Sequence, residues 1–313
     1  MSLTPFTNRF EKIKKRLKKN IYILYFVNVY HFIKSKLLPR LISDKSAIKK
    51  YYYNHTKKKI DLSNPITFSQ KQQWYKLNEK NALKKKCADK FEVRDYIIDC
   101  GYNMLLNKLL GVYDAVDQIN INTLPERFVL KASHGSGFNL IVKNKKNINW
   151  FMWKGIMKWW LRQDIYWSGR EWVYKDLRHR IIAEEYLSDN TGALADYKFF
   201  CFNGYPEFMQ LELGRYSGNH IRNFYDMRWN LMPFGKEIPH NTHITINKPN
   251  KYDKMQEIAR NLSKPFSFVR VDFYYVNERI YFGEMTFFPA GGAADFIPSE
   301  YDEIIGNMWE IKI

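Results

Sequence analysis

The chain has 313 residues, of which 45 % are apolar and 17 % aromatic; 50 Lys and Arg against 32 Asp and Glu give a net charge of +18. That length and apolar share exclude a disordered chain and suit one large domain, or two to three small ones, with a real core. The charge asks for an anionic partner (nucleic acid, lipid surface, nucleotide or acidic sugar polymer) or reflects plain Lys abundance, and composition does not choose among these.

Residues 1–60 read as a basic, helical N-terminal segment. Residues 9–20 (RFEKIKKRLKKN) are strongly basic, residues 21–33 (IYILYFVNVYHFI) are apolar and aromatic, and Lys34 and Lys36 follow. A spanning helix needs about 20 apolar residues, and no small-residue cleavage site marks a secretory signal. Two readings stand: a helix packed on the protein's own core, or a basic, aromatic anchor over residues 9–36 lying on an anionic membrane surface, in an otherwise cytoplasmic protein. The cysteines Cys87, Cys100 and Cys201 are dispersed and odd in number. This argues against a disulfide framework or zinc site and fits a reducing compartment.

Residues 61–65 form a turn-rich break. Residues 67–78 predict a helix with Thr67 as N-cap, and residues 89–100 a second, capped by Asp89 and stopped at Gly101. Strand signals begin after Pro125. Residues 128–131 (FVLK), the glycine turn 133–137 (SHGSG) and residues 139–143 (NLIVK) predict a hairpin; the Trp-rich stretch 150–162 predicts a helix, and residues 180–187 (RIIAEEYL) a strand ending in acids. Residues 196–202 and 206–213 flank an Asn-Gly turn, residues 251–262 form an amphipathic helix, and residues 268–276 and 279–287 form a last hairpin. The class is α+β with mostly antiparallel pairs. The chain divides into 1–60, 61–125, 126–190 and 191–313.

The last hairpin carries the most chemistry. Side chains alternate faces along a strand, so burial of the apolar set places Arg270, Asp272, Glu284 and Thr286 on one shared face. A two-residue turn at Asn277-Glu278 would pair odd with even positions and spoil this, so the reading requires an odd-length loop or a bulge. Two carboxylates and a hydroxyl suit Mg²⁺, which takes oxygen ligands and fills its shell from phosphates and water; an ordinary surface cluster fits the same residues. Glycines in the loop His134, Gly135, Ser136, Gly137 let backbone N–H groups approach phosphate, with Lys131 just before it. The pattern GxxxxGK[ST] is missing, so the loop is no P-loop. Glu184, Glu185, Tyr186 and Leu187 at a strand end could read adenine through exposed backbone, with Asp196 holding ribose hydroxyls; solvated acids at a strand exit are the plain alternative.

In order, these pieces resemble the ATP-grasp superfamily and, more narrowly, its TupA-like family, named for a teichuronopeptide-biosynthesis protein. The phrases are Pro65-Ile66-Thr67-Phe68-Ser69-Gln70-Lys71, Ala88-Asp89-Lys90 with Val93-Arg94-Asp95-Tyr96, Phe128-Val129-Leu130-Lys131, His134-Gly135-Ser136-Gly137, Glu185-Tyr186-Leu187, Asp196-Tyr197-Lys198-Phe199, Val269-Arg270-Val271-Asp272 and Phe282-Gly283-Glu284-Met285-Thr286-Phe287. The resemblance runs from about residue 60 onward and leaves residues 1–55 uncovered. It implies an ATP-grasp fold: two α+β subdomains with antiparallel sheets holding ATP, one a small flap (126–190) with the glycine-rich loop, the other (191–313) with the metal-binding hairpin. By resemblance Arg94 and Lys131 are the cations on the ATP phosphates, the 134–137 loop is the closing lid, residues 184–187 are the adenine hinge and Asp196 is the ribose acid. Lys198 and Arg270 contact the γ-phosphate or acyl phosphate, and Asp272 and Glu284, with Thr286, hold Mg²⁺. Many ATP-grasp enzymes have Glu-x-Asn here; this chain has Glu284-Met285-Thr286, as the TupA-like pattern does, which puts a second Mg²⁺ in doubt.

The expected activity is an ATP- and Mg²⁺-dependent carboxylate–amine ligase of bacterial surface polysaccharide synthesis, acting on an anionic glycan or sugar. Alternatives are a glycan kinase on the same fold, a glycosyltransferase-like protein (disfavoured, since no DxD triplet occurs) and a non-catalytic membrane- or glycan-binding module. A nucleic-acid-binding module suits the charge but leaves the shared polar face unexplained.

Overall fold

The computed structural model describes residues 20–37, 41–188, 194–214, 220–238 and 240–311, with backbone only for residues 31–37. The chain forms two compact units: residues 1–41, 109–168 and 178–186 make the first, and residues 42–108, 169–177 and 187–313 the second.

The first unit is a four-stranded antiparallel sheet backed by helices. Its strands are β1 (Leu109–Tyr113), β2 (Phe128–Ala132), β3 (Asn139–Val142) and β4 (Ile181–Glu185), in the order β1-β4-β2-β3. Alternate residues of β2 (Phe128, Leu130, Ala132) and β3 (Leu140, Val142) are buried, the period expected of a sheet with one face on a core. That face packs on α6 (Trp150–Arg162), which contributes Ile156, Met157 and Trp160. The apolar run near the N-terminus forms α1 (Ile21–Leu37), and Ile21, Leu24 and Tyr25 pack against this core. Tyr25 meets Trp159 edge-on at 6.3 Å, and buried Gln163 donates through Nε2 to Asn28 Oδ1 at 3.1 Å. The opposite face of α1 exposes Tyr22, Phe26 and Tyr30 (58–69 % exposed), one every four residues. No helix among the described residues is long and apolar enough to cross a membrane. Residues 9–19 of the basic segment lie outside the described residues.

The second unit is built on a five-stranded antiparallel sheet. Its strands are β5 (Asp196–Phe202), β6 (Tyr205–Leu213), β7 (Ile221–Asp226), β9 (Phe268–Val276) and β10 (Arg279–Thr286), in the order β10-β9-β5-β6-β7. One face is covered by α7 (Tyr252–Ser263), where Tyr252 meets Phe199 at 5.7 Å. The other face is aromatic at one end, where Phe200, Phe202, Phe268 and Trp309 surround Phe68 of α3 (Phe68–Asn78) at 5.1–6.4 Å. Over the same face lie β8 (Gly235–Lys236), paired with β11 (Phe296–Ile297), and α8 (Tyr301–Asn307). Helices α2 (Asp44–Thr56), α4 (Ala82–Ala88) and α5 (Val93–Asp99) complete the unit.

Thr67 caps α3 as expected, in a full capping box with Gln70. The helix predicted over 89–100 is shorter, α5 starting only at Val93. Asp89 Oδ1 instead accepts from the backbone N–H groups of Phe91 and Glu92, and Arg94 and Asp95 bond three residues back, so the chain makes a tight turn first. Both turn residues of the β5–β6 hairpin, Asn203 and Gly204, have positive φ (50° and 83°), as an Asn-Gly turn requires.

Candidate active site

The β9–β10 hairpin has the two-residue turn that by itself would spoil the shared polar face, and a bulge that restores it. Its turn is the two-residue Asn277-Glu278, each at positive φ, and it pairs Tyr274 with Tyr281 and Phe273 with Phe282. A bulge at Gly283 then advances the register by one, so that Asp272 faces Glu284 and Arg270 faces Thr286. A Cβ on Gly283 would stand 3.0 Å from the Asp272 carbonyl oxygen, which is why the bulge needs glycine.

The result is one bonded cluster. Arg270 donates through Nε to Asp272 Oδ1 (2.7 Å) and through Nη2 to Asp272 Oδ2 (2.6 Å), Glu284 Oε1 (3.2 Å) and Thr286 Oγ1 (3.0 Å). The Thr286 hydroxyl donates to Glu284 Oε1 at 3.2 Å. On β5, opposite Asp272 in register, Lys198 donates to Asp272 Oδ2 at 2.8 Å and lies 3.5 Å from Asp196. Lys90, from the turn before α5, brings a further ammonium within 3.8 Å of Glu284 Oε2.

Opposed charges set the protonation of the cluster. Burial alone would raise the Glu284 carboxyl, but Lys90, Arg270, Lys198 and the Thr286 hydroxyl override it and hold it at about 2. Burial would likewise lower Lys198 and Arg270, yet Asp272 first, with Asp196 and Glu284, keeps both raised and charged. Half-buried Tyr174 is pushed well above its ordinary range by desolvation, then by Glu171 and Glu284, so it remains a neutral phenol. Neither Lys90 nor Tyr174 was marked by sequence reasoning. For Lys90 the signal was available, as a lysine following the capping Asp89. For Tyr174 there was none, because its partners are distant in sequence.

The first unit holds the other predicted residues. Lys131, on β2, forms an ion pair at 2.7 Å with Glu184 on β4, which is 8 % exposed. The loop after Lys131 is closed by a backbone bond from Ala132 N to Phe138 O, and Ser133 N donates to Arg180 O. His134 faces inward: its ring stacks on His179 at 3.7 Å and its Nε2 donates to Trp160 O at 3.0 Å. Gly135 (φ 92°) sits where a Cβ would collide with Ile165, whereas Ser136 and Gly137 form the exposed tip. His134 thus anchors the loop on the core of this unit. At the end of β4, Glu185 is exposed and Tyr186 half-buried, and the Arg127 guanidinium lies 5.7 Å from the Tyr186 ring centre. In the second unit Leu187 is half-buried, and Arg94, on α5, donates to Asn107 O at 2.9 Å.

Among the described residues no set of three or more His, Cys, Asp or Glu side chains is arranged to hold a metal ion. The cluster offers two carboxylates and a hydroxyl, all oxygen donors on one face. That fits Mg²⁺ drawing the rest of its shell from phosphate oxygens and water, and does not suit a metal needing nitrogen or sulfur ligands.

A glycine-bearing hairpin with a paired lysine on one antiparallel sheet, and a second antiparallel sheet whose polar face sets carboxylates among cations, are the parts of an ATP-grasp protein, the fold class that takes ATP with Mg²⁺. The chain belongs to the TupA-like ATP-grasp family, whose sequence model matches residues 70–310. Among solved structures it is similar to the D-alanine–D-alanine ligase of Bacillus anthracis (14 % identity, TM-score 0.42, covering 71 % of this chain and 66 % of that one). It is also similar to the N5-carboxyaminoimidazole synthase of Aspergillus clavatus (12 %, TM-score 0.39, 67 % and 46 %) and the phosphoribosylamine–glycine ligase of Thermotoga maritima (13 %, TM-score 0.37, 66 % and 48 %). The chain thus spans 46–66 % of the length of these proteins. No curated protein matches the sequence.

Proposed function

We propose that the protein is an ATP- and Mg²⁺-dependent carboxylate–amine ligase of bacterial surface polysaccharide synthesis, joining an amine or amino acid to a sugar or uronic acid. The observation that carries this reading is the cluster in which Arg270 bridges Asp272 and Glu284 while Lys198 bonds Asp272 from the neighbouring strand. Asp272, Glu284 and Thr286 are the residues that would hold Mg²⁺. When bound, Mg·ATP supplies the phosphoryl group and a cation offsetting its charge. Arg270 and Lys198 lie where they can take up phosphoryl oxygens, being already oriented by the carboxylates. Lys131 and the 133–137 loop fit the β- and γ-phosphates, and Arg94 the remaining negative charge. Glu184 through Leu187 would meet adenine, and Asp196 the ribose.

The chemistry balances in two steps. A substrate carboxylate oxygen attacks the γ-phosphorus and ADP leaves; an amine then attacks the acyl carbon, phosphate leaves and the amine nitrogen gives up a proton. Calorimetry of Mg·ATP with wild type and with Asp272→Asn/Glu284→Gln tests the site. Binding that loses its metal dependence in the double variant is expected, and wild type that binds no nucleotide sinks the reading. An amide product separates ligation from phosphorylation of a glycan hydroxyl.

We further infer that α1 meets an anionic lipid surface. The exposed Tyr22, Phe26 and Tyr30 and the basic sequence 9–20 before them support it. Full-length Tyr22→Ser/Phe26→Ser/Tyr30→Ser should lose sedimentation with phosphatidylglycerol vesicles while still binding Mg·ATP; unchanged sedimentation rules the inference out.

A further inference from the structure

The proposed Mg·ATP site uses only part of the polar face of the five-stranded sheet. Register carries that face onward, since Lys198 on β5 faces Gln210 on β6, Asp196 faces Glu212, and Glu212 faces Arg222 on β7. Gln210 and Glu212 are each 2 % exposed and Arg222 is 8 % exposed. β8 lies over this area. Phe234, just before it, stacks at 4.4 Å on Phe224, which faces Gln210 in register, and Arg222 Nη1 donates to Lys236 O at 2.8 Å.

Most polar atoms here satisfy one another. Glu212 Oε1 accepts from Gln210 Nε2 (2.6 Å) and Arg222 Nε (2.9 Å), and its Oε2 is bonded to His220. Arg222 also reaches Glu237 Oε2 at 2.9 Å. Two atoms stand apart. Gln210 Oε1 is buried with no donor among the described residues. Lys236, 6 % exposed, has among the described residues only Glu237 for a carboxylate, 4.0 Å from its Nζ. Burial pushes the Lys236 ammonium down to about 8; Glu237 opposes this, while Arg270 and Arg222 add to it. A buried ammonium and a buried carbonyl left in this way each carry a desolvation cost that an incoming ligand would remove. The atoms also specify that ligand. The ammonium asks for an anion and the carbonyl for an O–H or N–H; Gln210 faces Lys198 across β5 and β6, and Lys236 feels the charge of Arg270.

We propose that Lys236 Nζ and Gln210 Oε1 form the subsite of the carboxylate substrate, an acid that also carries a hydroxyl or amine donor; this rests on the ligase reading above. Lys236 binds the carboxylate and Gln210 accepts from the neighbouring donor, which orients the acid for attack on phosphorus.

The test loads the full-length protein with Mg·ATP and titrates two probes by calorimetry, D-glucuronate for a hydroxy acid and glycine for an amino acid, with D-glucose as the neutral control. One probe is expected to bind wild type, and glucose is not. Lys236→Met should weaken that probe by roughly tenfold or more, as expected for loss of a charged hydrogen bond, and Gln210→Met should weaken it less. Mg·ATP affinity should hold in both. Removing a buried ammonium whose carboxylate partner Glu237 lies 4.0 Å away should leave the Tm of Lys236→Met unchanged or raised, and Lys236→Arg should keep part of the probe affinity. Wild type that binds Mg·ATP but neither probe, or a Lys236→Met variant that binds the probe as wild type does, overturns the subsite and leaves the ligase reading standing. Wild type that binds no Mg·ATP removes both.

Discussion

Arg270 is the residue on which the cluster turns, because its guanidinium alone touches Asp272, Glu284 and Thr286. Its planar fork matches two carboxylates at once, which a lysine in its place would not. Glu284 answers to the same cations, and the linkage sign follows. Its carboxyl is lowered from 4.5 to about 2 in the folded protein, so its stabilising contribution is present above the unfolded value and is lost as pH falls from there toward 2. Thermal unfolding followed across that acid range should show a shallower fall for Glu284→Gln than for wild type; parallel curves would mean that the carboxylate is not linked to folding. Its side chain is about a third exposed, so solvent screens the effect. Gly283 acts through the backbone. Gly283→Ala forces a Cβ toward the Asp272 carbonyl, and a loss of about 1–3 kcal/mol is expected in denaturant unfolding, together with weakened metal-dependent ATP binding as Glu284 is turned away.

Elements show how far local pattern reaches. The β5–β6 and β9–β10 hairpins could be read from alternation and turn residues; parity called for an odd-length loop or a bulge, and the structure has the bulge. The α3 start was equally legible. Thr67→Ala removes the acceptor for Gln70 N and one half of the capping box, and about 1 kcal/mol of stability should go with it; a change within error would show that Asp302, which accepts from Ser69 N at 2.8 Å, holds that turn unaided. Shorter or less periodic pieces escaped. The two-residue strands β8 and β11 carry no period to detect, and β8 is what brings Lys236 over the sheet. The stacking of His134 on His179 likewise left no local signal, because it is a contact across many residues of chain.

For the whole molecule, the sequence declared its class through ordered phrases over residues 65–287, and the family match over 70–310 bears this out. It did not declare that residues 169–177 belong with the second unit while 178–186 return to the first, since such long-range partition leaves no local mark. The +18 charge is a property of the whole chain as well. If it helps α1 to reach anionic lipid, vesicle binding should fall as salt shortens the Debye length from about 10 Å at 0.1 M to about 3 Å at 1 M; binding indifferent to salt would assign the contact to the aromatic rings alone.

The strand that completes the cluster is also the last of the five-stranded sheet to be made. During synthesis the first unit has all its parts once residue 186 has emerged, although the second unit began earlier, at residue 42. Until β10 follows, Arg270, Lys198 and Asp272 are together without Glu284 or Thr286. A chain that ends before residue 279 therefore has no strand to cover the outer edge of β9, and Arg270 in it has neither Glu284 nor Thr286. Quality control can recognise such a product by that exposed edge, and it lacks two of the three oxygen donors proposed for Mg²⁺.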